Sequence, residues 1–427
     1  MRVLYNIGLD SYMFFARIAS CFNPKAKLFY RGRIGLLEKI KREVSQDSPV
    51  IWVHCSSVGE FEQARPVIEW YKAEKKEYKI LLTFFSPSGY ELRKNYELAD
   101  WVFYMPVDTP KNARRFVEAV NPVKAIFIKY EFWYNYLHEL RRKNVQVYIV
   151  SAIFRPSQVF FKWYGGFFRK MLHCYTRLFV QDEQSRELLQ SLGIKDNVLI
   201  CGDTRFDRVY QITRNTREFP LIKRFAKGHF TVIAGSTWGP DDELLESVLR
   251  NFSNTKLIIA PHEIHRERIE EIEKLFAPER VLRFSDFDKK FRTDEFSATE
   301  ELGRLEDALE NSKVLIIDCL GILSSIYRYG HVAYIGGGFG AGIHNILEAA
   351  TYAIPVVFGP NYHKFKEARD LVSLNGAVPV AGRTPFYDIM DKYVNNETVR
   401  MERGEICGNY VRNNLGATSR IVSNMEL

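Results

Sequence analysis

Residues 50–61 read VIWVHCSSVGEF. The first five are mostly apolar and too few for a helix, which reads as a strand buried on both faces. Ser56, Ser57 and Gly59 then permit a tight turn, and a helical pattern follows. The unit is strand, turn, helix, and it recurs. KILLTFF (79–85), WVFYMP (101–106), KAIFI (124–128), VQVYIV (145–150), RLFVQ (177–181) and NVLIC (197–201) are strands of the same kind. Helical patterns such as 109–120 and 131–143 lie between them. Short apolar strands alternating with helices specify a parallel sheet covered on both faces.

The charged stretch 204–228, which contains Pro220, interrupts this rhythm. Alternation then resumes with HFTVIAG (229–235), KLIIAP (256–261), KVLIID (313–318), HVAYIGGG (331–338) and IPVVFG (354–359). The expectation is an α/β protein with two Rossmann-like, doubly wound domains facing a cleft, joined near 204–228. The domain ranges are 24–210 and 211–427, preceded by a helix over 1–23. Ligands of such sheets bind beyond the carboxyl ends of the strands. The charged segment 286–312 reads as a surface insertion, and no repeat of solenoid length is present.

Composition narrows the function classes. At 427 residues the chain is long enough for two or three domains. No run of about 18 uncharged apolar residues occurs, which excludes a polytopic membrane protein. The six cysteines are scattered without a CxxC pair, an argument against a disulfide scaffold or structural zinc and for a reducing cytosol. The net charge of +8 suits anionic phosphates or an anionic membrane surface and is no sign of nucleic-acid binding. Residues 3–22 suit a helix lying in a bilayer interface. Arg2, Asn6, Asp10, Arg17 and Ser20 form a polar stripe, with Met13 the exception inside it. Leu4, Phe14, Phe15, Ile18 and Phe22 make the apolar face, and Lys25, Lys27, Arg31, Arg33, Lys39, Lys41 and Arg42 follow as a basic apron. A buried amphipathic helix beside a solvated basic face is the alternative.

Several strand ends carry unusual chemistry. Glu60 sits at a helix N-terminus, where the dipole keeps a carboxylate ionised; it serves either as a cap or as a proton acceptor. Pro66 delays or kinks that helix. Glu131 and Arg205 follow two other strands, as local salt-bridge partners or as site residues. In the second half, Pro261 and His262 follow a strand, and the His262/His265 spacing is not that of a zinc protease, so no metal is expected. Gly336, Gly337, Gly338, Gly340 and Gly342 follow the 331–335 strand and open a helix carrying Glu348. They approach a phosphate or serve close packing. The strand that follows lacks the acid of a dinucleotide site.

SSVGEF (56–61), YEFWYN (130–135), GDTRFD (202–207), PHEIHRER (261–268) and GIHNILEAATYAIPVVFGP (342–360) together resemble the 3-deoxy-D-manno-octulosonic acid (Kdo) transferases of lipopolysaccharide assembly. The similarity runs in order along essentially the whole chain. It implies the glycosyltransferase B architecture and transfer of Kdo from CMP-Kdo to a lipid A precursor (lipid IVA), with no cofactor. It implies Glu60 as general base, with Glu131 and Arg205 supporting the transition state. Pro261, His262, Leu320, Gly321, Ile322, Asn345, Ile346, Leu347 and Glu348 would hold CMP. Ile322 stands where the family usually has a glutamate, so a contact there comes from backbone; Gly342-Ile343 replaces a double glycine before His344, and Arg205 replaces a lysine. The implied place is the cytoplasmic face of the inner membrane. Two rivals are a UDP-sugar transferase or epimerase of the same architecture and a non-catalytic membrane-surface module.

Overall fold

Strand Val50–Cys55 (β1) is buried along its whole length, and its side chains divide between two cores. Val50 and Trp52 face one layer, while Ile51, Val53 and Cys55 face the other. This is why a parallel central strand reads as a continuous apolar run rather than an alternating one. The computed structural model describes residues 1–45, 47–214, 217–287 and 299–426. Around β1 stand Lys79–Phe84 (β2), Trp101–Tyr104 (β3), Lys124–Ile128 (β4), Gln146–Ala152 (β5), Arg177–Val180 (β6) and Val198–Ile200 (β7). They pair in the order β3-β2-β1-β4-β5-β6-β7, all parallel.

The second sheet contains Phe230–Thr237 (β8), Thr255–Pro261 (β9), Val281–Arg283 (β10), Val314–Ile316 (β11), Val332–Ile335 (β12), Val356–Phe358 (β13) and Ala377–Pro379 (β14). Their order is β10-β11-β9-β8-β12-β13-β14, again parallel. In each sheet the order reverses beside its first strand, at β1/β4 and at β8/β12, which creates the crevice where doubly wound folds bind ligands. The two Rossmann-like sheets expected from the sequence are present. The edge strands β10 and β14, three residues each, were not read from it; Pro379 at the end of β14 suits an edge.

The chain divides into two compact units, Met1–Arg208 with Asn414–Leu427, and Val209–Asn413. The second domain therefore does not run to 427. Helix Ala417–Met425 delivers Ile421, Val422 and Met425 to the core of the first unit. There Tyr71 donates to Glu426 at 2.9 Å and Arg420 donates to the Cys201 carbonyl at 2.8 Å. Segment 204–228 is not a plain linker either, since it holds helices Thr204–Arg214 and Pro220–Ala226, the latter with proline in its first turn. Of the expected insertion 286–312, residues 288–298 lie outside those described. Thr299–Asn311 is a helix with Ala308 and Leu309 buried, and it connects β10 to β11. Missing β10 made a crossover helix look like an insertion.

The N-terminal helix, Arg2–Ala19, has two opposed faces. Tyr5 donates to Asp108 at 2.7 Å and packs on Tyr134 and Phe167, and Asn135 donates to Asn6 at 3.0 Å. Leu9, Met13, Ala16 and Ser20 are half-buried on the same side, so Met13 in the polar stripe belongs to the face that docks. Val3, Leu4, Ile7, Phe14, Phe15 and Ile18 are exposed on the other. Among the described residues no helix is long and apolar enough to cross a membrane. Arg33 leaves the expected basic apron. Its guanidinium donates to the carbonyls of Met105, Phe29 and Phe85 and lies over the Phe29 ring, and burial pushes it down to about 10.

Candidate functional site

At the carboxyl edge of the first sheet, helix Val58–Glu74 begins directly after β1 and runs unbroken past Pro66, with Ser57 as its N-cap residue. Glu60 thus lies in the first turn, where the exposed N–H groups favour an anion, and it accepts a bond from the Ser57 hydroxyl. The early start answers the expectation of a delayed helix. Pro66 lies well inside, beyond the first turn.

Glu131 follows β4 through Lys129, which takes a left-handed φ of 69°. That turn reverses the chain and carries the carboxylate inward, to 4 % exposure. There it accepts from Trp133 Nε1 at 2.5 Å, and its oxygen stands 3.4 Å from His54 Nε2. Arg205 follows β7 and donates through Nε and its backbone N–H to Asp203, both at 2.9 Å. Burial raises the Asp203 carboxyl, but the charge and bonds of Arg205, with the Gln63 amide, outweigh it and hold it below its ordinary value. Asp203 in turn orients the guanidinium fork.

These three residues share one neighbourhood. Burial pushes the Cys55 thiol well up, and the Glu60 and Glu131 carboxylates push it further. Burial also raises the Tyr130 phenol, with Arg155 and Arg205 opposing and Glu60 and Asp203 reinforcing. A carboxylate at a helix N-terminus, a buried carboxylate and a fixed cation therefore surround the ends of β1, β4 and β7. The sequence reading missed the supports: Tyr130 and Asp203, quoted in motifs without a role, and Gln63. Ser151 is another. It bulges from β5 at φ 51° and accepts from the Thr204 N–H at 3.3 Å. Non-glycine residues in that region are costly and gather at functional sites; Lys129, Ser151 and, in the second unit, Ser236 (φ 56°) all stand at carboxyl ends of strands.

In the second unit the crevice at β8/β12 holds a pocket of about 440 Å³ lined by Trp238, Pro240, Asp241, Phe339, His344 and the glycine loop. Asp241 is buried and accepts from the Trp238 N–H and the Gly337 N–H, both at 2.9 Å, and from the Tyr334 hydroxyl at 2.8 Å. It ties the turn after β8 to the turn after β12. The glycine question resolves for two positions. A Cβ on Gly336 would stand 2.3 Å from the Ser236 carbonyl, and one on Gly338 would stand 2.6 Å from the Gly359 backbone. Both are glycine for close backbone packing. The loop does not open directly onto a helix, because the next one is the single turn Leu347–Ala350. Oriented loop amides remain near the pocket; a long helix dipole does not.

The expected nucleotide residues fall into three groups. Pro261, His262, Asn345 and Glu348 gather at the crevice. The His262 ring stacks on Trp238 (4.8 Å) and on His344 (4.4 Å), and Trp238 Nε1 in turn stands 3.4 Å from His344 Nε2, so the three rings form one aromatic cluster. Burial and the neighbouring His262 push His344 down to about 4, which leaves it neutral near pH 7. Asn345 donates to Glu348 at 3.0 Å. Ile346 and Leu347 are fully buried in the core, so only their backbone reaches a ligand. Leu320 is 69 % exposed and Gly321 takes φ 88° in the bend before Ile322, which caps the turn Leu323–Ile326. Leu323 of that turn lies against Gly235 at the end of β8. Trp238, Asp241 and His344 were not singled out from the sequence. The signal was present, since WGPDD (238–242) follows β8 as a turn-and-cap pattern.

A family model described as 3-deoxy-D-manno-octulosonic-acid transferase (kdotransferase) matches residues 30–208. The 3-deoxy-D-manno-octulosonic acid transferase of Aquifex aeolicus (strain VF5) is 28 % identical over 344 residues, 79 % of this chain and 83 % of that protein. The transferase of the same name from Haemophilus influenzae (strain Rd) is 26 % identical over 386 residues, 87 % of this chain and 85 % of that one. In fold, the chain superposes on the UDP-GlcNAc 2-epimerase of Neisseria meningitidis with a TM-score of 0.61 at 14 % identity, covering 88 % of this chain and 99 % of that one. This last likeness concerns architecture alone, two parallel sheets of glycosyltransferase B type. Over residues 30–208 the chain matches the 3-deoxy-D-manno-octulosonic-acid transferase family model, and over most of its length it is similar to transferases of that name.

Proposed function

We propose that the protein transfers Kdo from CMP-Kdo to the lipid A precursor lipid IVA in a single inverting displacement. The observation that carries this reading is the grouping of Glu60, Glu131 and Arg205 at the carboxyl edge of the first sheet, in a chain similar over most of its length to Kdo transferases. Glu60 takes the proton from an acceptor hydroxyl. The freed oxygen attacks the anomeric carbon of Kdo, and the bond to the CMP phosphate breaks with its electron pair leaving on CMP. CMP is already a good leaving group, so the reaction asks of the protein a base, positioning and charge stabilisation. The fixed cation Arg205 suits the sugar carboxylate beside the anomeric carbon or the developing phosphate charge. Glu131, buried and firmly held, supports the positive character that grows at that carbon.

The second unit binds the donor in this reading. Asn345 and Glu348 serve the ribose hydroxyls, and His262 with the backbone at 320–322 and 346–347 serves the rest of CMP. The first unit takes the acceptor at the cytoplasmic face of the inner membrane. What supports this is the open apolar face of helix Arg2–Ala19 together with the six exposed cations Lys25, Lys27, Arg31, Lys39, Lys41 and Arg42; each cation near an anionic leaflet contributes about 1 kcal/mol. The test is to incubate the full chain with CMP-Kdo and a tetra-acylated lipid A precursor and weigh the lipid product. One added Kdo mass or more, inhibited by CMP and not by UDP, is the expected result. Inhibition by UDP alone, or an unchanged lipid, overturns the reading.

A further inference from the structure

His54 is the penultimate residue of β1, fully buried, one residue before Cys55 ends the strand. No role in the reaction just described has been assigned to it, yet its two ring nitrogens sit in very different company. Nδ1 lies 2.8 Å from the Thr83 hydroxyl oxygen. Nε2 lies 3.4 Å from Glu131 Oε2 and has no hydrogen-bond partner among the described residues. A buried polar nitrogen aimed at a carboxylate, without a formed bond, calls for an explanation.

The donor inventory supplies one. The Trp52 indole N–H, which only donates, points at Thr83 Oγ1 at 2.8 Å. Thr83 must then send its own proton elsewhere, and two acceptors stand near: His54 Nδ1 at 2.8 Å and the Val53 carbonyl at 3.5 Å. The closer one receives it. With Nδ1 accepting, the neutral ring carries its proton on Nε2, facing Glu131. The opposite tautomer would present a bare lone pair to a buried carboxylate, a repulsive arrangement at low dielectric.

We propose that His54 is a positioning residue: the Thr83 hydroxyl fixes the tautomer of its ring, and the resulting Nε2–H, opposite the Trp133 N–H, orients the Glu131 carboxylate. This rests on the assignment of Glu131 to transition-state support. His54 touches no substrate; it acts through Glu131. Two donors from the protein interior converge on Glu131 Oε2, which leaves Oε1 to face the reacting sugar. The long contact is the expected resting geometry, since such bonds tighten when substrate completes the site. Misplacing a charge by about 1 Å costs on the order of 10²-fold in rate.

The experiment uses the full chain and five variants. His54→Gln places an amide nitrogen where Nε2 stands, whereas His54→Asn reaches only the Nδ1 position. Thr83→Val keeps the shape and removes the tautomer-setting hydroxyl. Glu131→Gln and the double variant His54→Asn/Glu131→Gln complete the set. Kdo-transfer kcat, KM and melting temperature are measured for each. Nitrogen-15 shifts of the histidine rings are recorded on the wild type, with His54 assigned by its disappearance in a variant. Expected are a kcat lowered about 10–100-fold in His54→Asn and Thr83→Val, KM values within about twofold of wild type, and recovery of most of kcat in His54→Gln. His54→Asn should have no further effect once Glu131 is glutamine, and the wild-type ring should be the Nε2–H tautomer. Equal losses in the Gln and Asn variants, additivity with Glu131→Gln, or an Nδ1–H ring overturns the proposal. The ring shifts need no substrate, so they judge His54 even for a protein that fails to transfer Kdo.

Discussion

Removal of the Asp241 carboxylate is the sharpest probe of the second unit. Its Oδ2 accepts two backbone N–H groups, from Trp238 and Gly337, and its Oδ1 accepts the buried Tyr334 hydroxyl. In Asp241→Ala two buried donors, the Gly337 N–H and the Tyr334 hydroxyl, lose their acceptor, as does the partly buried Trp238 N–H. Each orphaned buried donor costs about 1–3 kcal/mol, so the sum is about 2–6 kcal/mol, a large share of a typical stability of about 5–15 kcal/mol. Asp241→Asn behaves differently. Its amide oxygen can stay on the two N–H groups while its NH₂ donates to the phenol oxygen, which turns its own proton away. Only charge assistance is lost, about 1 kcal/mol. Because Gly337 belongs to the loop lining the pocket, the Ala variant should also lose CMP affinity by more than tenfold, with the Asn variant close to wild type. Thermal unfolding and CMP calorimetry on both variants provide the check. Equal stability of Asp241→Ala and wild type would refute the hydrogen-bond argument. A large stability loss with intact CMP affinity would show that the loop does not hold donor.

Glu60→Gln should lower transfer about 10²–10⁴-fold with CMP binding intact and a melting temperature shift of no more than a few degrees; near-normal turnover would leave Glu60 as a cap. His262→Ala and Glu348→Ala should each raise the donor KM, by roughly tenfold or more for the charged ribose contact, as read in initial-rate assays, and unchanged values would remove them from the donor site. Phe14→Ser/Phe15→Ser should weaken sedimentation with anionic vesicles while the Tyr5–Asp108 dock keeps the helix folded, and undiminished sedimentation would count against that face. Burial lifts the Asp108 carboxyl to about 7 despite the bonds from Tyr5, Asn135 and Tyr136. The folded state therefore binds the proton more tightly than the unfolded one, and stability falls as pH rises from about 4 to about 7, by up to about 4 kcal/mol. In Asp108→Asn the change in melting temperature between pH 5 and pH 8 should shrink, and an equal slope in both proteins would remove Asp108 as its source.

The strands were legible where they are central and buried, because burial on both faces writes itself as an unbroken apolar run. The runs at 50–54 and 124–128 are of that kind, and their partners in both sheets followed. The short edges β10 and β14 carry no such signal, and with β10 unseen a crossover helix passed for an insertion. Glu60, Glu131 and Arg205 could be named because motifs at strand ends are local. Their supports could not. Gln63 meets Asp203 across 140 residues, and Asp241 meets Gly337 across 96, distances over which spacing says nothing. The N-terminal helix shows the same limit. Its polar stripe was legible, but that Tyr5 and Asn6 use it to grip Asp108 and Asn135 depends on a partner more than 100 residues away.

The path of the chain through its two units sets an order in time. Synthesis passes residue 208 with the first sheet fully made but one of its faces lacking Ile421, Val422 and Met425. The ribosome then makes the entire second unit, some 10–40 s of work at about 5–20 residues per second, before helix Ala417–Met425 emerges. The middle of the sequence can thus finish folding while the beginning waits. During that interval Lys124, which ends up beside Glu426, has no carboxylate to meet, and Tyr71 and Tyr148 have no C-terminal helix to cap. Completion of the unit that carries Glu60, Glu131 and Arg205 is thereby reserved for chains translated through residue 425, and a prematurely terminated chain keeps an apolar face open to quality control.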